Sequence, residues 1–277
     1  MKLTFFTPRV ELKQLVKAIW AFESPVGLPA SDASIAAPNG CPKLIVSCRN
    51  AIIARVESSV QSIKDHDEYF LGIRDVPVSL HTGSGATSFI GIEFFPHGAF
   101  PILKVPLVEL TNRLLPASEL LKDWGPSVAE AVARLDSVEE RVDFIQELLF
   151  VKLKESAPAN SIVEYCVRFL DRTAGLAPLS ELERKTGYSK RYLEMLFKQH
   201  VGISPKTLAG IFRFQRFYRK WALGQSYGEL TADMYSYYYD QAHFAKDFKK
   251  MTGSSPGRFV SGVSNSFGRK LTATQPL

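Results

Sequence analysis

The segments Phe197-Lys-Gln-His-Val-Gly-Ile-Ser-Pro205 and Phe248-Lys-Lys-Met-Thr-Gly-Ser-Ser-Pro256 decide the fold of the C-terminal part of this chain. They match at Phe, Lys, Gly, Ser and Pro with an offset of 51 residues, which identifies an internal repeat. In each copy the glycine suits the left-handed conformation that ends a helix, and Ser-Pro suits the start of the next helix. Each copy is therefore predicted to be a helix, a stop and a second helix.

A capped helix precedes the stop in each copy. Ser189 and Asp240 stand at equivalent positions and are both good N-caps. Apolar residues at helical spacing follow each cap, so one face of each helix is predicted to be buried. The opposite faces are free to bind a partner and carry Lys190, Arg191, Glu194, Met195 and Lys198 in the first copy and Gln241, Ala242, Ala245, Lys246 and Lys249 in the second.

The stretch upstream of the first capped helix has the pattern of a second, shorter helix followed by a turn. Residues 179–186 have a helical pattern that stops at Gly187. A helix, a tight turn and a second capped helix form a helix-turn-helix, whose second helix can enter the DNA major groove. The basic, aromatic segment from Pro205 to about Leu223 predicts a connecting helix of roughly 27 Å. Two recognition helices held about 34 Å apart would meet successive major grooves, so one chain could read a two-part site.

The distribution of charge supports a polyanionic partner for the C-terminal part. Residues 1–160 contain 16 basic and 19 acidic residues, whereas residues 161–277 contain 18 basic and 9 acidic residues. Such an asymmetry indicates a basic module attached to a near-neutral one. Charge alone leaves nucleic-acid binding and simple solubility about equally supported.

Length and composition limit the class of protein. The chain has 277 residues, 45% of them apolar, which suits about two globular domains and excludes disorder or collagen. No apolar run approaches the roughly 18 residues needed to cross a bilayer, so we expect no membrane association. The cysteines Cys41, Cys48 and Cys166 are scattered and form no Cys-x-x-Cys pair. Buried thiols in a reducing compartment, the cytoplasm, are the simplest interpretation.

The C-terminal segment from about Leu179 to Phe259 resembles the DNA-binding domain of the AraC/XylS family of bacterial transcription regulators. This family has two helix-turn-helix units, and the resemblance implies promoter binding, contacts with RNA polymerase and control by a small molecule bound to an N-terminal domain. A homodimer is also compatible with it. The residues that carry the resemblance are Gly187–Lys198, Gly202–Pro205, Arg213–Arg216, Asp240–Phe244, Phe248-Lys249 and Gly253–Pro256.

The family's geometry assigns roles to the exposed faces. Arg191 and Glu194 are expected to point towards base edges, and Met195 to offer an apolar contact. Lys190 and Lys198 are expected to hold phosphates. In the second unit the corresponding positions are Gln241, Ala242, Ala245 and Lys246, with Lys249 and Lys250 at the DNA backbone.

The sequence departs from the family pattern at three turn and packing positions. Glu183 and, on the simplest alignment, Asp233 stand where the family usually has alanine, and Tyr237 stands where the second turn usually has glycine. Either a one-residue slip in the alignment or a remodelled first helix accounts for the second turn. Met195 replaces a usual arginine, which removes one bidentate donor to guanine.

The N-terminal part is predicted to be an antiparallel barrel or sandwich. Its β-rich runs are separated by glycine, proline and polar clusters: residues 44–46, 52–56, 69–73, 76–80 and 88–95. After Gly98 the pattern becomes helical, most clearly with the stripe Val142, Ile145 and Leu149, which either covers the barrel or forms a dimer seam.

Residues 38–46 and 91–100 are similar to the cupin-like sensory domains attached to some members of the same family. A small barrel can hold one ligand, so we predict an effector site near Asn39, Glu93 and His97. The alternative is a cupin-like enzyme or metal-binding protein with an accessory nucleic-acid-binding domain. We predict no catalytic residue, metal or cofactor, because His66, His81 and His97 are scattered and no catalytic motif occurs.

Together these features predict an α+β protein with three parts. Residues 1–157 are expected to form a β-rich regulatory domain with trailing helices. Residues 158–265 are expected to form an all-α domain of two helix-turn-helix units joined by a linker helix, and residues 266–277 a flexible tail.

Overall fold

The computed structural model describes residues 1–29, 31–32, 34–57, 59–121, 128–225, 228–229, 234–262 and 265–274. The protein has the predicted α+β architecture, with strands in the N-terminal part and helices after them. The strands are β1 (Lys2–Phe6), β2 (Val16–Ser24), β3 (Ile35–Ala36), β4 (Lys43–Arg49), β5 (Ile52–Val56), β6 (Ser59–Ile63), β7 (Glu68–Leu71), β8 (Val78–Thr82), β9 (Thr87–Phe94) and β10 (Leu114–Pro116).

The strands form two antiparallel sheets. One sheet has the order β1-β2-β9-β4-β7-β10 and the other the order β3-β8-β5-β6. All five predicted strands are present, β5 with the predicted ends and the other four with shifted ends, and β1, β2, β3, β6 and β10 are additional. Strand β2 was not predicted, because most of its residues are buried on both faces of the sheet and its sequence does not alternate between apolar and polar residues.

The six-stranded sheet separates two apolar cores. Successive residues of β2 alternate, so that Ile19 packs in a core beneath the helices while Trp20 packs in a core between the sheets. Gly91 pairs with Trp20 across the sheet, and a Cβ atom at Gly91 would overlap the indole ring. The inner face of this sheet therefore carries large side chains into the space enclosed by the two sheets, called the barrel interior below.

Helices cover the outer face of the six-stranded sheet and form the C-terminal part. The predicted apolar stripe lies on α4 (Val138–Lys154) and covers the six-stranded sheet, because its members Val142, Ile145 and Leu149 are buried there. The helices are α1 (Phe100–Leu103), α2 (Ala117–Leu120), α3 (Val128–Ala133), α4 (Val138–Lys154), α5 (Ser161–Arg172), α6 (Leu179–Thr186), α7 (Lys190–His200), α8 (Pro205–Ala222), α9 (Gln241–Thr252), α10 (Pro256–Gly262) and α11 (Ser266–Thr274). Short 3-10 turns lie at Val10–Leu12, Leu107–Leu110 and Met234–Ser236.

The segment expected to be a flexible tail is largely a helix. Helix α11 covers Ser266–Thr274, and its Phe267 and Leu271 are buried in the core between the two sheets. Residues 275–277 lie outside the described part of the chain. Sequence analysis did not predict this helix, because a short amphipathic helix with one glycine has little intrinsic stability and forms here against a surface supplied by distant strands.

Among the described residues, the helices include none that is long and apolar enough to cross a membrane.

Candidate nucleic-acid interface

The first helix-turn-helix unit is built from α6 and α7. Gly187 ends α6 in the left-handed conformation with φ of 74°, and Ser189 caps α7 by accepting from the Tyr192 amide. The Glu183 carboxylate also accepts a hydrogen bond at the start of α7, from the Lys190 amide at 3.1 Å. Glu183, which stands where the family usually has alanine, therefore gives a hydrogen-bond acceptor to an amide that has no partner within the recognition helix.

The two faces of α7 divide as the sequence predicts. Leu193, Leu196 and Phe197 are buried in the helical core. Lys190, Arg191, Met195 and Lys198 are exposed, and Glu194 is half-buried. The opposite face is therefore available to a partner.

The second unit has a capped second helix, and its turn differs from that of the first unit. Asp240 caps α9 by accepting from the His243 amide at 2.7 Å, and Gly253 ends the helix with φ of 78°. Among the described residues that precede α9, Met234–Ser236 form a 3-10 turn, and Tyr237 does not have a positive φ. The second turn is therefore remodelled rather than a left-handed glycine turn. Asp233 lies outside the described residues.

The predicted contact residues of the second unit also lie on its outer face. Phe244, Phe248 and Met251 of α9 are buried. The outer face has Ala245 half-buried and the other four predicted positions exposed: Gln241, Ala242, Lys246 and Lys249.

Helix α8 joins the two units through one aromatic core. The ring of Phe217 lies 4.6 Å from that of Phe244, and the ring of Phe214 lies 5.8 Å from that of Phe248. Phe197 of the first unit belongs to the same buried cluster. Because interiors are close-packed, a shared core fixes the two recognition helices relative to each other.

A basic groove runs between the two units. It has a volume of about 740 Å³, and its lining includes Lys190, Lys206, Arg213 and Lys250. Arg213 pairs with Asp247 at 3.0 Å, and Lys250 pairs with Asp75 of the N-terminal part at 2.7 Å. The sequence analysis did not single out Lys206 or the pairing of Arg213, since both depend on how α8 lies between the units.

The predicted effector residues are split between two places. Asn39 donates to Glu93 at 2.9 Å and accepts from Lys43 at 2.8 Å, and Trp20 also donates to Glu93. All four side chains are buried, and burial lowers the pKa of Lys43 while Glu93 opposes that effect. Asn39 and Glu93 therefore position Lys43.

His97 lies in a separate cleft of about 270 Å³ between the N-terminal part and helices α5 and α8. Its ring stacks on Phe95 with centroids 5.8 Å apart. The Gln14 backbone lies near it, but neither ring nitrogen meets hydrogen-bond geometry with a described atom. Burial lowers the pKa of His97, so the imidazole is neutral at neutral pH.

The barrel interior contains a small apolar cavity of about 40 Å³. Lys43 and Arg74 contribute to its otherwise apolar lining, and burial lowers the pKa of Arg74 to about 10, which leaves it charged at neutral pH. Sequence analysis missed Arg74, since nothing in its local pattern shows that it is buried. No group of three or more His, Cys, Asp and Glu side chains in the described part of the chain is arranged to hold a metal ion.

Comparison with known proteins identifies both parts of the chain. Residues 182–261 match the family model of a helix-turn-helix domain, and residues 4–116 match that of a domain of unknown function, DUF6597. A search of curated proteins found no match.

Three solved structures illustrate the structural similarity. ToxT from Vibrio cholerae is 10% identical, with 87% of this chain and 97% of that chain covered and a TM-score of 0.49. Unsaturated fatty acid-bound ToxT from the same organism is 11% identical, with coverages of 88% and 97% and a TM-score of 0.47. The AraC-like transcriptional activator CuxR is 16% identical, with coverages of 82% and 83% and a TM-score of 0.29. The family match, which does not depend on these structures, shows that residues 182–261 form a helix-turn-helix domain of the AraC type.

Proposed function

We propose that this protein regulates transcription in the cytoplasm by binding a two-part promoter site, with α7 and α9 in successive major grooves of double-stranded DNA. The observation that carries the proposal is the pair of capped helices, each with an exposed outer face, that α8 joins through one aromatic core. A rigid pair of recognition helices selects both the sequence and the spacing of two half-sites.

The two recognition faces have different roles in this proposal. Arg191, Glu194 and Met195 contact base edges, whereas Lys190 and Lys198 hold phosphates. Gln241, Ala242, Ala245 and Lys246 face the second groove, and Lys249 binds the backbone there. The basic groove between the units adds Lys206 to the surface that faces the phosphates.

The N-terminal part supplies regulation in this proposal. We place its boundary with the DNA-binding part at residues 157–158, in the segment between α4 and α5. A small-molecule effector is proposed to bind the barrel interior beside Lys43, which Asn39 and Glu93 hold in place, with His97 in the adjacent cleft. RNA polymerase and a second copy of the chain are the proposed protein partners, and no residue is assigned a catalytic role.

Selection from a random duplex library by the purified full-length protein tests the proposal. We expect two short motifs about one helical turn apart, with affinity for the selected DNA falling steeply as salt rises. The matched control is the chain with Arg191→Ala, which should enrich a degenerate first motif.

Two results would contradict parts of the proposal. Enrichment of a single motif would mean that α9 contacts only the backbone. No enrichment, with weak binding that is insensitive to salt, would remove the regulator interpretation altogether.

A further inference from the structure

The C-terminal helix α11 occupies the barrel interior. Phe267 is 1% exposed and Leu271 is 6% exposed. The ring of Phe267 lies edge-on to Phe22 with centroids 5.6 Å apart, and 6.5 Å from the ring of Phe89. Phe267 and Leu271 also line the cavity of the barrel interior, which has a volume of about 40 Å³. The barrel interior is therefore filled in part by side chains of the C-terminal helix.

The attachment of α11 to the barrel lies mainly at its first turn, with a further hydrogen bond of 3.3 Å from the Lys270 side chain to the Met1 carbonyl. Asn265 accepts from the Ile35 amide at 2.9 Å and donates to the Ile35 carbonyl at 3.0 Å. Asp32 accepts from the amide and the hydroxyl of Ser266. A Cβ atom at Gly268 would overlap the Ile35 carbonyl oxygen, so glycine permits this close approach. Because α11 contributes no strand to either sheet, it can leave without breaking a strand pair.

Helix α11 and the residue before it also contact the linker helix of the DNA-binding part. Asn265 donates to the Tyr218 hydroxyl at 3.3 Å, and the Arg269 guanidinium lies 5.1 Å from the Trp221 ring centre. Both aromatic residues belong to α8. Helix α11 thus connects the contents of the barrel with the helix that joins the two recognition units.

We propose that α11 is a displaceable plug: a small apolar molecule that enters the barrel replaces Phe267 and Leu271, and the departing helix loosens the attachment of α8 to the N-terminal part. The remaining attachment is direct and includes the hydrogen bond from Gln215 of α8 to the Pro38 carbonyl at 2.6 Å. Loosening also weakens the pairing of Lys250 with Asp75, so a cation lining the basic groove becomes available to DNA. The coupling to DNA rests on the proposed function. The plug itself does not, since it concerns contacts within the chain.

The first test opens the barrel without removing the helix. In the full-length chain, the double substitution Phe267→Ala and Leu271→Ala should create one saturable site per molecule for anilinonaphthalene sulfonate, an anionic dye with an apolar aromatic body. A synthetic peptide with the sequence of residues 265–274 should displace the dye. Wild type and Lys270→Ala, which removes an exposed side chain of the same helix and its bond to the Met1 carbonyl but leaves the barrel filled, should bind no dye.

Unfolding measurements distinguish a plug from an ordinary core element. The double variant should still unfold in one cooperative transition, because dye binding without such a transition indicates a loosened globule. Non-saturable dye binding with loss of the transition would overturn the proposal, and so would a cooperatively folded variant that binds no dye.

Hydrogen exchange on the unaltered protein gives an independent measurement. The amides of α11 should exchange through a local opening, well before those of β2 and β9. Exchange of α11 together with those strands would show that it opens only in global unfolding and would overturn the plug.

DNA affinity tests the coupling. The double variant should bind the selected duplex about fivefold or more tightly than wild type or Lys270→Ala, the lower end of typical allosteric coupling. Equal affinities would overturn the coupling. Failure of wild type to bind any DNA would defeat the proposed function, while the dye and exchange results would still decide whether α11 is a plug.

Discussion

The two helix-turn-helix units share a buried face and differ in almost everything that a partner would meet. With the repeat offset of 51 residues, Phe197 corresponds to Phe248, and both are buried in the common core. On the outer face, Arg191 corresponds to Ala242 and Glu194 to Ala245. The first unit also has a left-handed turn at Gly187, whereas no described residue of the second turn has positive φ.

This difference teaches that the repeat preserves packing more strictly than recognition. An apolar core accepts few substitutions because cavities and overpacking both destabilise it. The outer face has no such constraint, and the alanines of the second unit can contribute little more than contact with thymine methyl groups. We therefore expect the two units to be similar in stability and unequal in base reading.

The largest expected effect concerns the shared core. Phe197→Ala and Phe248→Ala should each lower the free energy of unfolding by about 3 to 5 kcal/mol, because each leaves a cavity in a close-packed interior. Denaturant titration followed by circular dichroism measures both values. The two variants should show one transition each. If one unit of a variant unfolded before the other, the two units would have separate cores, and the shared buried face described above would be wrong.

The next effect concerns base reading by the first unit. Arg191→Ala should cost about 1 to 3 kcal/mol of binding free energy on the selected duplex and relax the preference at one base pair, because a bidentate donor is lost. Lys249→Ala, which removes a proposed backbone contact in the second unit, is the control and should leave base preference unchanged. Binding titrations on selected and random duplexes check both. An equal loss on the two duplexes would assign Arg191 to the backbone.

A smaller effect concerns the start of the first recognition helix. Glu183→Ala should lower the free energy of unfolding by about 1 kcal/mol, because the Lys190 amide loses its acceptor. Glu183→Gln retains an acceptor oxygen and should recover most of the loss. Thermal or denaturant unfolding of the three proteins provides the comparison. No change in Glu183→Ala would show that water replaces the carboxylate at no cost.

The smallest effect concerns the position at which the units carry the same residue. Lys198 corresponds to Lys249, and both are exposed on the outer faces of their helices. Either lysine changed to alanine should weaken binding to all sequences alike and reduce the slope of affinity against salt by about 1, because one phosphate contact is lost. Binding titrations over a salt series measure the slope. A loss confined to the selected duplex would move that lysine to base reading.

Much of the C-terminal part was predictable because its signals are local. Ser189, Gly187, Asp240 and Gly253 occupy the caps and stops that were expected of them, since capping depends on residues within one turn. The turn before α9 was not predictable, because Tyr238 is buried in the shared core and no described residue of this turn has the positive φ that a glycine turn would have.

Less of the N-terminal site was predictable, because its parts are distant in sequence. Asn39 and Glu93 do meet, as their shared hydrogen bond shows, but His97 points into a different cleft. Arg74 and Lys43 line the barrel cavity, and no sequence feature marked either as a candidate site residue. A buried charge leaves no local pattern, since its cost is balanced by partners that only the folded chain brings together.

The sequence by itself determined the repeat, the caps and the outward faces of both recognition helices, because each follows from residues within one or two helical turns of one another. Tertiary structure alone decided that α8 unites the units in one core, that the strands form two facing sheets and that α11 packs between them. Phe22, Phe89 and Phe267 illustrate the reason: their rings pack together although the last lies far along the chain from the others. Such contacts depend on shape and burial across the whole fold, which no local pattern of residues contains.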